Sequence, residues 1–278
     1  MSLNLSLQFS SADPLSQLAE LQARIRKEPQ RVDLRTFLFQ VYCLQGAWTK
    51  AGSQLQVIEG LDAEALPMVQ TYREALRCEL LRRGVFAGTR TPLVLGDPQD
   101  WLAWLLEANR LQALGHLDQA RTLRSQAMQA APASPGKVNG EPFKWLADAD
   151  SRLGPVLEAV LNGKYYWIPL ARLTRIEVDP PADLRDLVWT PVTLTFSSGG
   201  SNVALVPTRY PGAETLTDDR LRMARGTEWQ ALGEDIWVGT GQRVLVSDQA
   251  EYALLDVRLI EFGTVAAETG LPEAAGDG

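Results

Sequence analysis

The strongest constraint on this chain is a set of small and turn-forming residues around position 115. Trp104, Leu105, Ala108, Leu111, Gly115, Ala120, Ala127 and Pro132 stand at the offsets of a repeated helical hairpin. Two helices approach closely only where side chains are small. Ala108 on the first helix and Ala120 and Ala127 on the second supply those positions. Gly115 gives a turn residue free to adopt left-handed backbone angles, and Pro132 stops the second helix. Upstream, Tyr42, Gly46 and Ala51 match Leu111, Gly115 and Ala120, and the two alanines lie 69 positions apart. That is two lengths of the roughly 34-residue tetratricopeptide repeat. The pattern predicts a TPR-like α-helical solenoid over residues 13–135, an architecture whose curved face holds segments of other proteins.

Helix signals fill this range. Asp13-Pro14 reads as a capped start, with Leu15, Leu18, Leu21 and Ile25 following at helical spacing and Pro29 closing the run. Further helices are predicted over 31–44, 47–59 and 64–83. Residues 84–96 hold Pro92 and the apolar run Leu93-Val94-Leu95 among glycines, and read as a loop laid across the helices. Asp97-Pro98 repeats the capped start, ahead of helices over 98–114 and 118–131. Residues 1–12 read as a flexible N-terminus. Residues 136–163 read as a connector that ends in a docking helix, starting at Gly154-Pro155 and closed by Asn162-Gly163 as a C-cap pair.

Beyond Lys164 the period changes. Val192-Thr193-Leu194-Thr195-Phe196 alternates as a half-buried strand does, with 197–202 as a turn and 203–206 as its partner. Trp237-Val238, Val244 to Val246 and Leu255 to Phe262 read as further strands. The fold class is therefore α+β, with the solenoid followed by a small, mainly antiparallel β-sheet or open barrel over 164–263. Residues 264–278 are small, polar and acidic and read as a disordered tail.

Composition narrows the function. The net charge is −7, with 16 basic and 16 acidic side chains in residues 1–150 against 11 and 18 in the rest. That balance argues against a nucleic-acid groove or an anionic membrane surface. No secretory leader and no apolar run of about 18 residues is present, so the chain reads as cytoplasmic. A single histidine, His116, and two helical cysteines, Cys43 and Cys78, assemble no metal or haem site, and no cofactor is expected. Phosphate-loop and nucleophile-elbow motifs are missing. Gly239-Thr240-Gly241-Gln242-Arg243 lies between strands with no helix after it and reads as a hairpin turn. Arg82-Arg83 reads as a solvated helix end.

Asp148-Ala149-Asp150-Ser151-Arg152 is the sharpest polar constellation. Its structural reading is a junction in which Asp148, Asp150 and Arg152 pair and lock the connector. A divalent cation or a small ligand held by Asp148 and Asp150 is the catalytic alternative. For a bound helix, a solenoid offers an apolar groove rimmed by polar groups. Arg73, Trp101, Asn109 and Gln112 are its candidate contacts, with Trp104 and Leu105 assigned to the core and Trp48 to an exposed binding edge. A strand edge within 192–206 is the competing contact.

The segment 139–191 carries a specific resemblance. Asn139-Gly140-Glu141-Pro142-Phe143-Lys144-Trp145, the run Asp148 to Glu158, Gly163-Lys164-Tyr165-Tyr166-Trp167-Ile168-Pro169 and Pro181 to Trp189 resemble blocks of the ImpE/TagJ family. Gly239 to Arg243 and Ile260-Glu261-Phe262 fit as well. The resemblance implies a virulence-associated accessory protein of the bacterial type VI secretion system, without catalytic activity. It implies contact with the small subunit of the contractile sheath and, indirectly, an effect on the sheath-disassembly ATPase, with neither nucleic acid nor membrane as partner. Three roles follow: an adaptor for an amphipathic helix of that subunit, a chaperone for unassembled sheath subunits, or an enzyme built on Asp148 and Asp150.

Overall fold

The computed structural model describes residues 14–263. Asp13, the N-terminal stretch 1–12 and the tail 264–278 lie outside the described residues.

The first half is helical: α1 (Leu18–Lys27), α2 (Val32–Leu44), α3 (Trp48–Leu61), α4 (Leu66–Phe86), α5 (Asp100–Ala113) and α6 (Leu117–Ala130). α2 packs on α3, and α5 on α6. The turns between them pass through Gly46 at φ +63° and Gly115 at φ +83°. Ala51, Ala108, Ala120 and Ala127 are wholly buried, so each pair closes over small side chains. α5 begins at Asp100 with Gln99 before it and no side-chain cap. Asp97, expected as that cap, faces Arg172 at 3.8 Å.

The second half is built on one nine-stranded sheet. Its strands are β1 (Leu93–Val94), β2 (Gly136–Val138), β3 (Glu141–Phe143), β5 (Val156–Leu161), β6 (Lys164–Pro169), β7 (Leu173–Val178), β8 (Trp189–Phe196), β9 (Ser201–Pro207) and β14 (Leu259–Phe262). They run in the order β1-β6-β5-β9-β8-β7-β14-β2-β3. Only β1 pairs in parallel, through Leu93↔Tyr166 and Val94↔Trp167. A three-stranded sheet, β13 (Glu251–Ala253), β12 (Val244–Ser247) and β4 (Leu146–Asp148), and a hairpin of β10 (Thr227–Ala231) with β11 (Trp237–Gly241) complete it. The short helix α7 (Asp219–Arg222) precedes that hairpin.

Several expectations are corrected. The loop expected over 84–96 supplies an edge strand of the main sheet. The docking helix of 154–163 does not form. Val156–Leu161 is a strand, and Asn162-Gly163 is the tight turn to β6. The physical reason is burial on both faces. Val156, Glu158 and Val160 point to the helices, while Leu157, Ala159 and Leu161 point to a second core with Ile168, Leu194, Leu245 and Ile260. A strand buried on both sides shows no alternation, so its apolar run is indistinguishable from a buried helix. The turn residues settle it: Asn162 and Gly163 have φ of +49° and +72°, the pair of left-handed angles that a two-residue hairpin requires. Asn139-Gly140 makes the same turn between β2 and β3, at +51° and +92°.

Gly239 to Gly241 is no hairpin turn either. It is the body of β11, paired residue for residue with β10. A Cβ on Gly239 would sit 2.3 Å from the Tyr210 ring, and one on Gly241 2.3 Å from the carbonyl oxygen of Gly226. Close approach, not a turn, requires these glycines.

The helices lie on one face of the main sheet through aromatic contacts. Trp189 meets Trp48 and Tyr72 at ring distances of 5.9 and 5.7 Å, and Trp167 meets Phe86 at 6.0 Å. Trp48, expected at an exposed edge, is therefore buried.

Replacing either hairpin glycine with Ala forces a left-handed backbone on a residue with a side chain, at a cost of about 1–2 kcal/mol. Gly140→Ala has open space around its Cβ, whereas in Gly163→Ala the new methyl lies 3.1 Å from Glu74 Cγ. Urea unfolding should show both midpoints lowered, with Gly163→Ala the lower of the two.

Candidate functional site

The polar centre of the molecule lies between α4 and the main sheet. Glu158 stands in the middle of β5, fully buried among apolar neighbours. An isolated carboxylate there would be prohibitively costly, and the fold answers with two guanidiniums. Arg82 on α4 donates from Nε to Glu158 Oε1 at 2.7 Å and from Nη2 to Oε2 at 3.1 Å. Arg243, entering β12, donates to Glu158 from Nη2, to Asp148 Oδ2 from Nη1 at 2.6 Å, and to the Pro207 carbonyl from Nε at 3.0 Å. Tyr165 on β6 donates its hydroxyl to Glu158 and accepts from Trp167 Nε1 at 2.8 Å. Tyr210 OH donates to Asp148 Oδ1 at 2.8 Å. Arg82 Nη2 also reaches the carbonyl of Arg209 at 2.8 Å, and Arg209 in turn donates to the Leu44 and Cys43 carbonyls at the end of α2, at 3.0 and 3.4 Å. Cations at a helix C-terminus are favoured there.

These contacts set the ionisation of the cluster. Burial alone would raise the Glu158 carboxyl, but Arg82 and Arg243 outweigh it and hold it at about 2. Asp148 has one guanidinium against full burial and is lifted to about 6. Burial raises Glu79, which accepts from Trp189 Nε1 at 2.9 Å. Burial pushes the Cys78 thiol up to about 12 and Cys43 well above its ordinary value, so neither is poised as a nucleophile.

Asp150 and Arg152 form the neighbouring pair. Arg152 donates to Asp150 from Nη2 at 2.6 Å and from Nε at 2.9 Å, and Gly239 N donates to Asp150 Oδ2 at 2.9 Å. Asp148 Oδ1 also accepts from Asp150 N at 2.9 Å. All four oxygens of the two carboxylates are thus engaged by donors of the chain itself. Among the described residues no group of three His, Cys, Asp or Glu side chains is placed to hold a metal ion.

The expected groove contacts separate. Arg73 is half-buried on α4 and pairs with Glu59 of α3 at 2.6 Å. Trp101 is buried, with Nε1 donating to Gln99 at 2.6 Å. Asn109 is buried, donating to the Arg152 carbonyl at 2.6 Å and accepting from Arg124 at 2.8 Å. Gln112 is half-buried and accepts from the same Arg124 nitrogen at 2.7 Å. Trp101 and Asn109 are therefore corrected from contacts to interior residues. The segment around 150–154 packs on the α5 face that a free-standing solenoid would present to solvent. Leu105 is fully buried, while Trp104 is only half-buried. The strand edge expected within 192–206 is narrowed. β8 and β9 are interior in the strand order, and β9 pairs with β5 only at Ala204 and Leu205, so the open edge is confined to the outer end of β9, where Val203 is exposed.

Arg82, expected at a solvated helix end, is a central buried cation. Its partners lie 76 and 127 positions away, beyond any local pattern. One signal was present: Glu158 interrupts the apolar run Val156 to Leu161, and a lone carboxylate there demands a buried partner.

Comparison with known proteins places this arrangement. The ImpE protein family matches residues 140–261, the stretch from β3 to β14. Over 245 residues the chain is 50% identical to a Pseudomonas aeruginosa protein described as the type VI secretion system accessory component TagJ, covering 88% of this chain and 86% of that protein. The chain belongs to the ImpE/TagJ family. A crystal structure of a Vibrio parahaemolyticus protein has the same fold, with a TM-score of 0.83 at 22% identity, over 94% of this chain and 98% of that one. Seen as a member of the family, the chain carries its matched block as the β-half that holds Glu158, Asp148 and Arg243.

Removing one partner of a buried ion pair leaves an unpaired charge, at a cost of about 3–5 kcal/mol. Glu158→Gln should therefore lose about that much at neutral pH. The Glu158 carboxyl lies at about 2 in the folded chain against 4.5 ordinarily. Its stabilisation is complete above pH 4.5 and disappears as the pH falls towards 2. Denaturation series across pH should show the gap between wild type and Glu158→Gln narrowing through that window.

Proposed function

We propose that this protein is a non-catalytic, cytoplasmic accessory component of a bacterial type VI secretion system, binding the small sheath subunit through an amphipathic helix of that subunit. The observation that carries the reading is 50% identity across nearly the whole chain to a protein described as such an accessory component. Two helix pairs closed over buried alanines with left-handed glycine turns support a TPR-like scaffold. The saturated hydrogen bonding of Asp148 and Asp150 argues against the enzyme reading, since a base or metal ligand needs a free oxygen facing substrate.

The binding surface we assign is the outer face of α3 and the start of α4. Val57 and Leu61 stand four residues apart on α3, both more than a third exposed, and Leu66 is exposed directly after the single-turn 3-10 connector. The Arg73–Glu59 pair joins the same two helices. An apolar strip beside a charged pair suits the apolar face of a helix and the polar residues along its border.

The test is titration of the purified small sheath subunit against wild type, Leu61→Asp and Arg73→Glu. Binding should weaken at least about tenfold for Leu61→Asp, the loss of one apolar anchor, with the melting temperature unchanged. Unaltered binding by both variants would remove the α3–α4 face as the contact. Absence of binding by the wild type would remove the sheath subunit as the partner.

A further inference from the structure

Arg124 on α6 is the one deeply buried guanidinium among the described residues whose donors are left over. Arg82, Arg209 and Arg243 direct their nitrogens at carboxylates or carbonyls. Arg124 is only 4% exposed. Its Nη2 serves Asn109 Oδ1 and Gln112 Oε1, at 2.8 and 2.7 Å, while Nε and Nη1 have no partner. A guanidinium carries five N–H donors, and a buried cation facing neutral acceptors alone is poorly compensated. The nearby carboxylate of Asp150 is already held by Arg152 and Gly239 N. Burial lowers Arg124 to about 10, the direction expected where an anion is lacking.

Arg124 also lines a cleft of about 760 Å³ between α6, the segment 147–154 and residues 234–236. Thr122, Ser125 and Ser151 give that cleft hydroxyls, and Met128 and Ile236 give it apolar wall. Arg121 stands in the same lining, exposed and paired at 2.7 Å with a highly exposed Glu234, an ion pair of the weak surface kind. Two further carboxylates line the cleft: Asp148, which Arg243 holds, and the exposed Asp235. Volume, mixed lining and a buried cation are the attributes of a small-molecule site.

We propose that this cleft binds a small organic carboxylate, which accepts hydrogen bonds from the unpaired donors of Arg124, with Arg121 as a second cation at the mouth. The unpaired nitrogens of Arg124 are closed off from solvent, so binding requires the cleft wall to move. Met128, one helical turn from Arg124 in the same lining and seated against Gly154, has the unbranched side chain that allows such a movement. Occupation of the site would tie α6 to the segment holding Asp148 and Asp150, independently of any sheath contact.

The experiment is thermal unfolding of the full chain in sodium succinate and in sodium citrate, each against sodium chloride of equal ionic strength. With the probe at about ten times its dissociation constant, the melting temperature should rise by about 2–4 °C over the chloride control. Two variants separate binding from folding. Arg124→Met removes the unpaired charge and should keep or raise the melting temperature in chloride while abolishing the carboxylate-dependent rise. Ser125→Trp alters only an exposed wall residue and should abolish the rise by filling the cleft. A rise of equal size in wild type and both variants would mean a general salt effect and overturn the site. No rise with either probe in the wild type would overturn it equally.

Discussion

One carboxylate organises this molecule. Glu158 sits in a strand whose two faces belong to two different cores, and its charge is tolerable only because Arg82 arrives from a helix and Arg243 from another strand. Each guanidinium then has donors to spare. Arg82 spends one on the Arg209 carbonyl, and Arg243 spends others on Asp148 and the Pro207 carbonyl. The network fixes the position of α4 on the main sheet and ties the start of β12, in the three-stranded sheet, to Glu158 of β5. Hydrophobic burial alone would permit sliding. Directional charge-assisted hydrogen bonds do not.

That requirement explains why the two halves are not separate beads. β1 comes from between two helices and joins the edge of the sheet, Arg209 caps α2, and Trp189 packs in tilted contact with Trp48 and Tyr72. A free-standing solenoid exposes a concave face for ligands. Here the sheet and the segment around Asp150 occupy much of the space next to the helices, which is why Trp101 and Asn109 are interior. The apolar surface left open is scattered: Val57, Leu61, Leu66, Leu80, Leu114 and Leu117 on the helices, and Leu93, Trp145, Val203 and Trp237 in the β-structure.

The polar centre also shows how perturbed acids can be structural. Asp148 and Glu158 are both fully buried, yet one is raised and the other lowered, because Glu158 faces two guanidiniums and Asp148 faces one. Perturbed carboxylates beside a cleft are a common mark of catalysis. In this chain both oxygens of Asp148 already accept from the protein, so its perturbation reports burial and pairing.

Local patterns determined much of this protein. The paired glycines and alanines specified the helical hairpins, since turn geometry and close helix crossing depend on residues a few positions apart. Strict alternation marked Val192 to Phe196 of β8, while the turn read over 197–202 took in the start of β9 at Ser201 and Asn202. The blocks from Asn139 to Trp189 specified the family. Tertiary structure alone decided the rest. Whether Val156 to Leu161 is helix or strand depended on having a core on each side, and Asn162-Gly163 suits a helix end as readily as a hairpin until the partner strand is present. The glycines of 239–241 looked like a turn because the Tyr210 ring and the Gly226 carbonyl that press on them lie far away in sequence. Arg82, Glu158 and Arg243 read as unrelated charges for the same reason: a Coulombic partner is defined by distance in space, and their separations of 76 and 85 residues leave no periodic trace.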